Sequence, residues 1–103
     1  MTNDRLGGVG KMARKVLTGQ KNLEYCVKQK LKELAEDRSL LDYKGMGLVE
    51  LEALLSKNVK GFSLRKNFLN KSMTISWFEE GKQVEIAYSA DPESGEILEE
   101  IIN

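Results

Sequence analysis

The feature that most restricts this chain is a change of hydrophobic period near residue 60. Before it, apolar side chains recur at helical intervals: Leu23, Val27, Leu31 and Leu34 form the stripe that one helix face turns toward a core. After it, Phe62 and Leu64 alternate, as do Met73, Ile75 and Trp77, and then Val84, Ile86 and Tyr88. A period of two belongs to half-buried strands. Helices first and strands after them predict an α+β fold. Two to three N-terminal helices should pack on a C-terminal antiparallel β-meander of three to four strands.

The punctuation between these runs sets the expected boundaries. Residues 1–8 read as a flexible leader and residues 9–103 as a single α+β domain, because 103 residues suffice for one ordinary domain and not for two. Val9, Met12, Ala13, Val16 and Leu17 fall at helical spacing and predict a first helix, stopped by Gly19. A second helix should run from Leu23 to Arg38 with Asn22 as its cap, its side-chain oxygen taking an unpaired N–H of the first turn. Lys30 falls within the span of the stripe and should snorkel outward. After a break at Tyr43–Gly47, a third helix should span Leu48 to Lys57.

Glu80-Gly81-Lys82 predicts a hairpin connection, and Asp91-Pro92-Glu93-Ser94-Gly95 a stronger turn. The last segment, Glu96 to Asn103, fits a helical face through Ile97, Leu98, Ile101 and Ile102, but its β-branched isoleucines and the preceding turn favour a returning strand. The stretch from Ala87 to Leu98, with Asp91, Ser94, Gly95 and Glu96 matching D-x-x-[TS]-G-E, resembles the closing strand-turn-strand of PepSY domains. That resemblance is confined to this short stretch and implies a strand on each side of the turn.

Several chemistries are set aside by residue type. There is no histidine, so Ser-His-Asp and Cys-His catalysis and every His-ligated metal site are excluded. Cys26 is the lone cysteine, which excludes an intramolecular disulfide and reads as core packing. Gly7-Gly8-Val9-Gly10-Lys11 echoes a P-loop, but Arg5 and Met12 stand where a glycine and a Ser or Thr are needed. The GXXG loop of KH domains fails similarly, for lack of a preceding helix. Asp91, Glu93 and Glu96 are oxygen ligands suited to calcium, yet they lack the regular series of an EF-hand loop. The expectation is therefore no catalytic residue, no metal and no cofactor. With no long apolar run and no signal-like leader, no membrane partner is expected and the cytoplasm is the default address.

Net charge is zero but unevenly spread: residues 1–33 carry a net +5 and residues 79–103 a net −7. Either the two ends neutralise each other within the fold, or they leave charged faces open. Two candidate surfaces follow. Lys21, Tyr25, Lys28 and Lys32 share the outer face of the second helix, where cations flank an aromatic ring. Glu79, Glu80, Glu85, Glu99 and Glu100 would form an acidic sheet edge. A further basic cluster, Lys57, Lys60, Arg65, Lys66 and Lys71, is interleaved with Phe62 and Phe68. The leading expectation is a small non-catalytic binding protein that docks on a macromolecular partner, foremost another protein, through charged surfaces. The alternative is a nucleic-acid-binding module using the basic helix face.

Overall fold

The alternating run after residue 60 becomes four consecutive antiparallel strands. In the computed structural model, which describes residues 12–17 and 22–102, these are β2 (Ser63–Asn67), β3 (Ser72–Glu79), β4 (Lys82–Ala90) and β5 (Ile97–Ile102). The final segment is thus a strand, as its isoleucines favour. The predicted leader over residues 1–8 lies outside the described residues.

Residues 12–17 depart from expectation. Met12–Leu17 is a strand, β1, and not part of a first helix. It pairs antiparallel with β5 from Met12 opposite Ile102 to Leu17 opposite Ile97, so the sheet has five strands in the order β1-β5-β4-β3-β2. The physical reason is tertiary. A helix this short is marginal alone, whereas β5 offers an open edge that satisfies the backbone. The register also sets Lys15 opposite Glu99, an opposite-charge cross-strand pair of a kind worth roughly 0.2–1 kcal/mol.

Two α-helices follow, α1 (Leu23–Asp37) and α2 (Leu48–Asn58), with a 3-10 turn at Leu41–Tyr43 between them. Asn22 caps α1 as predicted: its Oδ1 accepts the Tyr25 N–H at 2.8 Å. At the start of α2, the Glu50 carboxylate accepts the Gly47 N–H at 2.9 Å. Both helices cover one face of the sheet. Cross-strand partners Met73 and Tyr88, and Ile75 and Ile86, form that face together with Ile97. Val27, Leu31, Leu34 and Ala35 of α1 and Leu51 and Leu55 of α2 are buried in the same core. Lys30 stays half-exposed, as snorkelling requires, with its ammonium 3.6 Å from Glu33.

One end of this sandwich is closed by specific ties. Trp77 is buried on the helix side, and its indole N–H donates to Glu79 Oε1 at 2.8 Å. The same oxygen accepts from Arg38 at the C-terminus of α1, at 2.9 Å. Phe78 lies over Gly61, whose φ of +72° and lack of a Cβ leave room for the ring. On the sheet's other face, Arg65 of β2 pairs with Glu85 of β4. That ion pair must span β3, and it leaves the intervening Ser76 only 5% exposed.

Candidate docking surfaces

The most exposed apolar side chains lie at the opposite end, on the connection between β2 and β3. Phe68 is 86% exposed and Leu69 96%. The turn that carries them is built by its polar neighbours: Asn67 Oδ1 accepts the Asn70 N–H at 3.1 Å, and Lys71 takes a positive φ of 48°. An Asx-type turn fixes the backbone without needing the two central side chains, so Phe68 and Leu69 are left outward. Lys66 and Lys71 flank them, both exposed. Leaving a large apolar side chain in water forgoes about 1.5–3 kcal/mol of burial.

Beside this tip runs an open groove of about 680 Å³. Its apolar lining includes Leu23, Met73, Ala90 and Ile97, with Phe68 contributing to one side. Lys66 and Lys71 lie on that side too, while Glu24 belongs to the first turn of α1. The β4–β5 turn also borders the groove, through Gly95, and carries exposed Glu93 and Glu96. A bond from Ala90 N–H to the Lys71 carbonyl, 3.4 Å, holds the β2–β3 and β4–β5 turns side by side.

The basic face predicted on the second helix is only partly assembled. Tyr25 is 47% exposed, with Lys28 and Lys32 half-exposed on the same helix, and neither lysine makes an ion pair among the described residues. Lys21 lies outside the described residues. Over Leu23–Asp37, however, three lysines stand against four carboxylates, so α1 as a whole is not cationic.

The acidic residues do not form a sheet edge. β5 and β4 are interior strands, and the edges are β1 and β2. The reason is again β1, which covers the side of β5 that the sequence left open. Most of these carboxylates are also occupied. Glu79 is held by Trp77 and Arg38, and these bonds, Trp77 first, lower its pKa. Glu85 is paired with Arg65. Glu99 stands opposite Tyr88 in the register and its charge acts on the Tyr88 hydroxyl, and Glu100 has a partner as well. Glu80 is exposed at the β3–β4 hairpin with a φ of 52°. The positive front and negative rear of the chain therefore meet, in part, inside the sheet.

Two further places gather titratable side chains. A polar cavity of about 260 Å³ lies between α1 and the β1–β5 strands, lined by Lys15, Cys26, Lys30, Glu33, Tyr88 and Glu99 among others. Burial, and then Glu99, raises the pKa of both the Cys26 thiol and the Tyr88 hydroxyl, which keeps them protonated and poorly nucleophilic. In the acidic turn, Asp91 accepts the N–H groups of Ser94 and Glu93, and these bonds lower its pKa. Among the described residues, no three His, Cys, Asp or Glu side chains are placed to hold a metal ion. No helix among the described residues is long and apolar enough to cross a membrane.

The exposed Phe68-Leu69 pair is the feature that sequence reasoning undervalued. Its signal was present: two bulky apolar residues enclosed by Asn67 and Asn70, between two alternating runs. The fold and these surfaces define a two-layer α+β protein with a bare apolar hairpin end. No family model matches the sequence, and no curated protein or solved structure is significantly similar to it.

Proposed function

We propose that this is a small, non-catalytic binding protein that docks on another protein through the β2–β3 hairpin end. The observation that carries the reading is the exposure of Phe68 and Leu69 between two exposed lysines, Lys66 and Lys71. Docking sites concentrate their energy in a few large side chains, aromatic ones foremost, surrounded by polar groups that exclude water. The tip offers an apolar centre with Lys66 and Lys71 beside it, cations suited to carboxylates. The carboxylates once expected to form a docking edge are mostly engaged by the fold, which shifts the contact surface to the tip. A cytoplasmic setting accords with a buried, unpaired thiol at Cys26.

The test is affinity capture with the wild-type chain and with Phe68→Ser and Leu69→Ser variants as bait. A specific protein partner held by wild type should be lost from both variants. Partners captured equally by all three would refute the reading.

A second reading, nucleic-acid binding, is favoured by half-exposed Tyr25 beside Lys28 and Lys32. It expects DNA or RNA affinity that falls steeply with salt and drops on Lys28→Glu. The four carboxylates of α1 weigh against it, since they repel phosphates along the same helix. Undetectable binding at low salt removes it.

A further inference from the structure

We infer that the protein partner of the hairpin end is a second copy of this chain, with the tip of each molecule seated in the groove of the other. The inference rests on the docking reading above and names its occupant. A twofold interface must be self-complementary, because the same patch serves both copies. This patch contains both halves of such a contact. The tip is convex and apolar at Phe68 and Leu69. The groove is concave and apolar at Leu23, Met73, Ala90 and Ile97, and its volume of about 680 Å³ has room for two large side chains. Tip and groove adjoin one another, since Phe68 contributes to the groove's side. A single twofold axis passing between them would seat both tips at once.

Charge points the same way. Lys66 and Lys71 lie with the tip, whereas Glu24, Glu93 and Glu96 lie toward the α1 and β4–β5 sides. Rotation about the axis brings the lysines of one copy toward the glutamates of the other, so both copies gain opposite-charge contacts from one arrangement. The chain has a formal net charge of zero, so two copies approach without bulk repulsion. A strongly anionic partner, by contrast, would meet the carboxylates of the groove.

The experiment is sedimentation equilibrium on the full chain from low micromolar to about 1 mM, the range in which small, rim-assisted interfaces associate. The weight-average mass should rise from 11.6 kDa toward twice that value. Phe68→Asp should weaken association at least about tenfold, and Lys71→Glu should weaken it less. Adding Glu24→Lys to Lys71→Glu should recover part of the loss, because the reversed charges face each other across the axis. Far-UV circular dichroism checks that each variant is folded, and Leu69→Ser serves if Phe68→Asp is not. A wild type that stays at monomer mass throughout overturns the inference, as does Phe68→Asp dimerising as tightly as wild type. A monomeric wild type whose capture of a different protein still depends on Phe68 overturns the second copy while leaving the docking reading intact.

Discussion

The two ends of the sheet treat their large apolar side chains in opposite ways. At the end where α1 finishes, Trp77 is buried and hydrogen-bonded, Glu79 ties β3 to Arg38, and Phe78 rests on Gly61. At the end where α1 begins, Phe68 and Leu69 stand clear of the molecule beside an open apolar groove. The polar groups differ correspondingly. The carboxylate at the closed end completes a network that holds helix to sheet, while the lysines at the open end flank side chains that are almost fully exposed. Apolar residues at the first end maintain the fold. Those at the second are exposed, and removing them should cost the fold little.

This contrast can be broken most severely at Trp77. Trp77→Ala should destabilise the protein by about 3–5 kcal/mol, from lost burial and the cavity left behind, with Glu79 losing a donor as well. Urea unfolding measures it, and a loss below about 1 kcal/mol would mean that the closed end is not packed as described. Gly61→Ala comes next. A Cβ there would overlap the ring of Phe78, and the φ of +72° is unfavourable to alanine, so a loss of about 1–3 kcal/mol is expected in the same assay.

A pH titration of stability sharpens the comparison with a smaller effect. Because hydrogen bonds from Trp77 and then Arg38 depress the Glu79 pKa, its contribution is present above the ordinary glutamate value. It is lost as pH falls through the lower folded value. Glu79→Gln should flatten that acid limb in a series of melts, and an unchanged limb would show that the tie contributes nothing. At the alkaline side, Tyr88 has its pKa raised by burial and then by Glu99. Stability should therefore decline as pH rises past the ordinary tyrosine value near 10, less steeply in Tyr88→Phe.

Much of the architecture was legible because local pattern and global fold agree over residues 23–102. The stripe Leu23–Leu34, the cap at Asn22 and the three alternating runs each landed in the element they indicate. The failure at Met12–Leu17 has a clear cause. Six residues with apolar side chains on both faces satisfy either period, and the deciding term was the open edge of β5, a long-range partner no local window contains. The same omission misplaced the acidic residues. Glu85 looks free along the chain, yet Arg65 brings it a partner from a distant segment, and β1 covers the strand that carries Glu99 and Glu100. Phe68 and Leu69 were harder to read for the opposite reason: apolar residues are expected to be buried, and only the turn geometry shows these two turned outward.

The smallest expected effect is the most telling. The equilibrium unfolding of Phe68→Ser/Leu69→Ser, followed in urea at a protein concentration too low for self-association, asks directly whether the open end belongs to the fold. Stability within about 0.5 kcal/mol of wild type is expected, as for surface positions that pack against nothing. A loss of several kcal/mol, comparable to that of Trp77→Ala, would contradict the account, because it would place the pair inside the protein's own core.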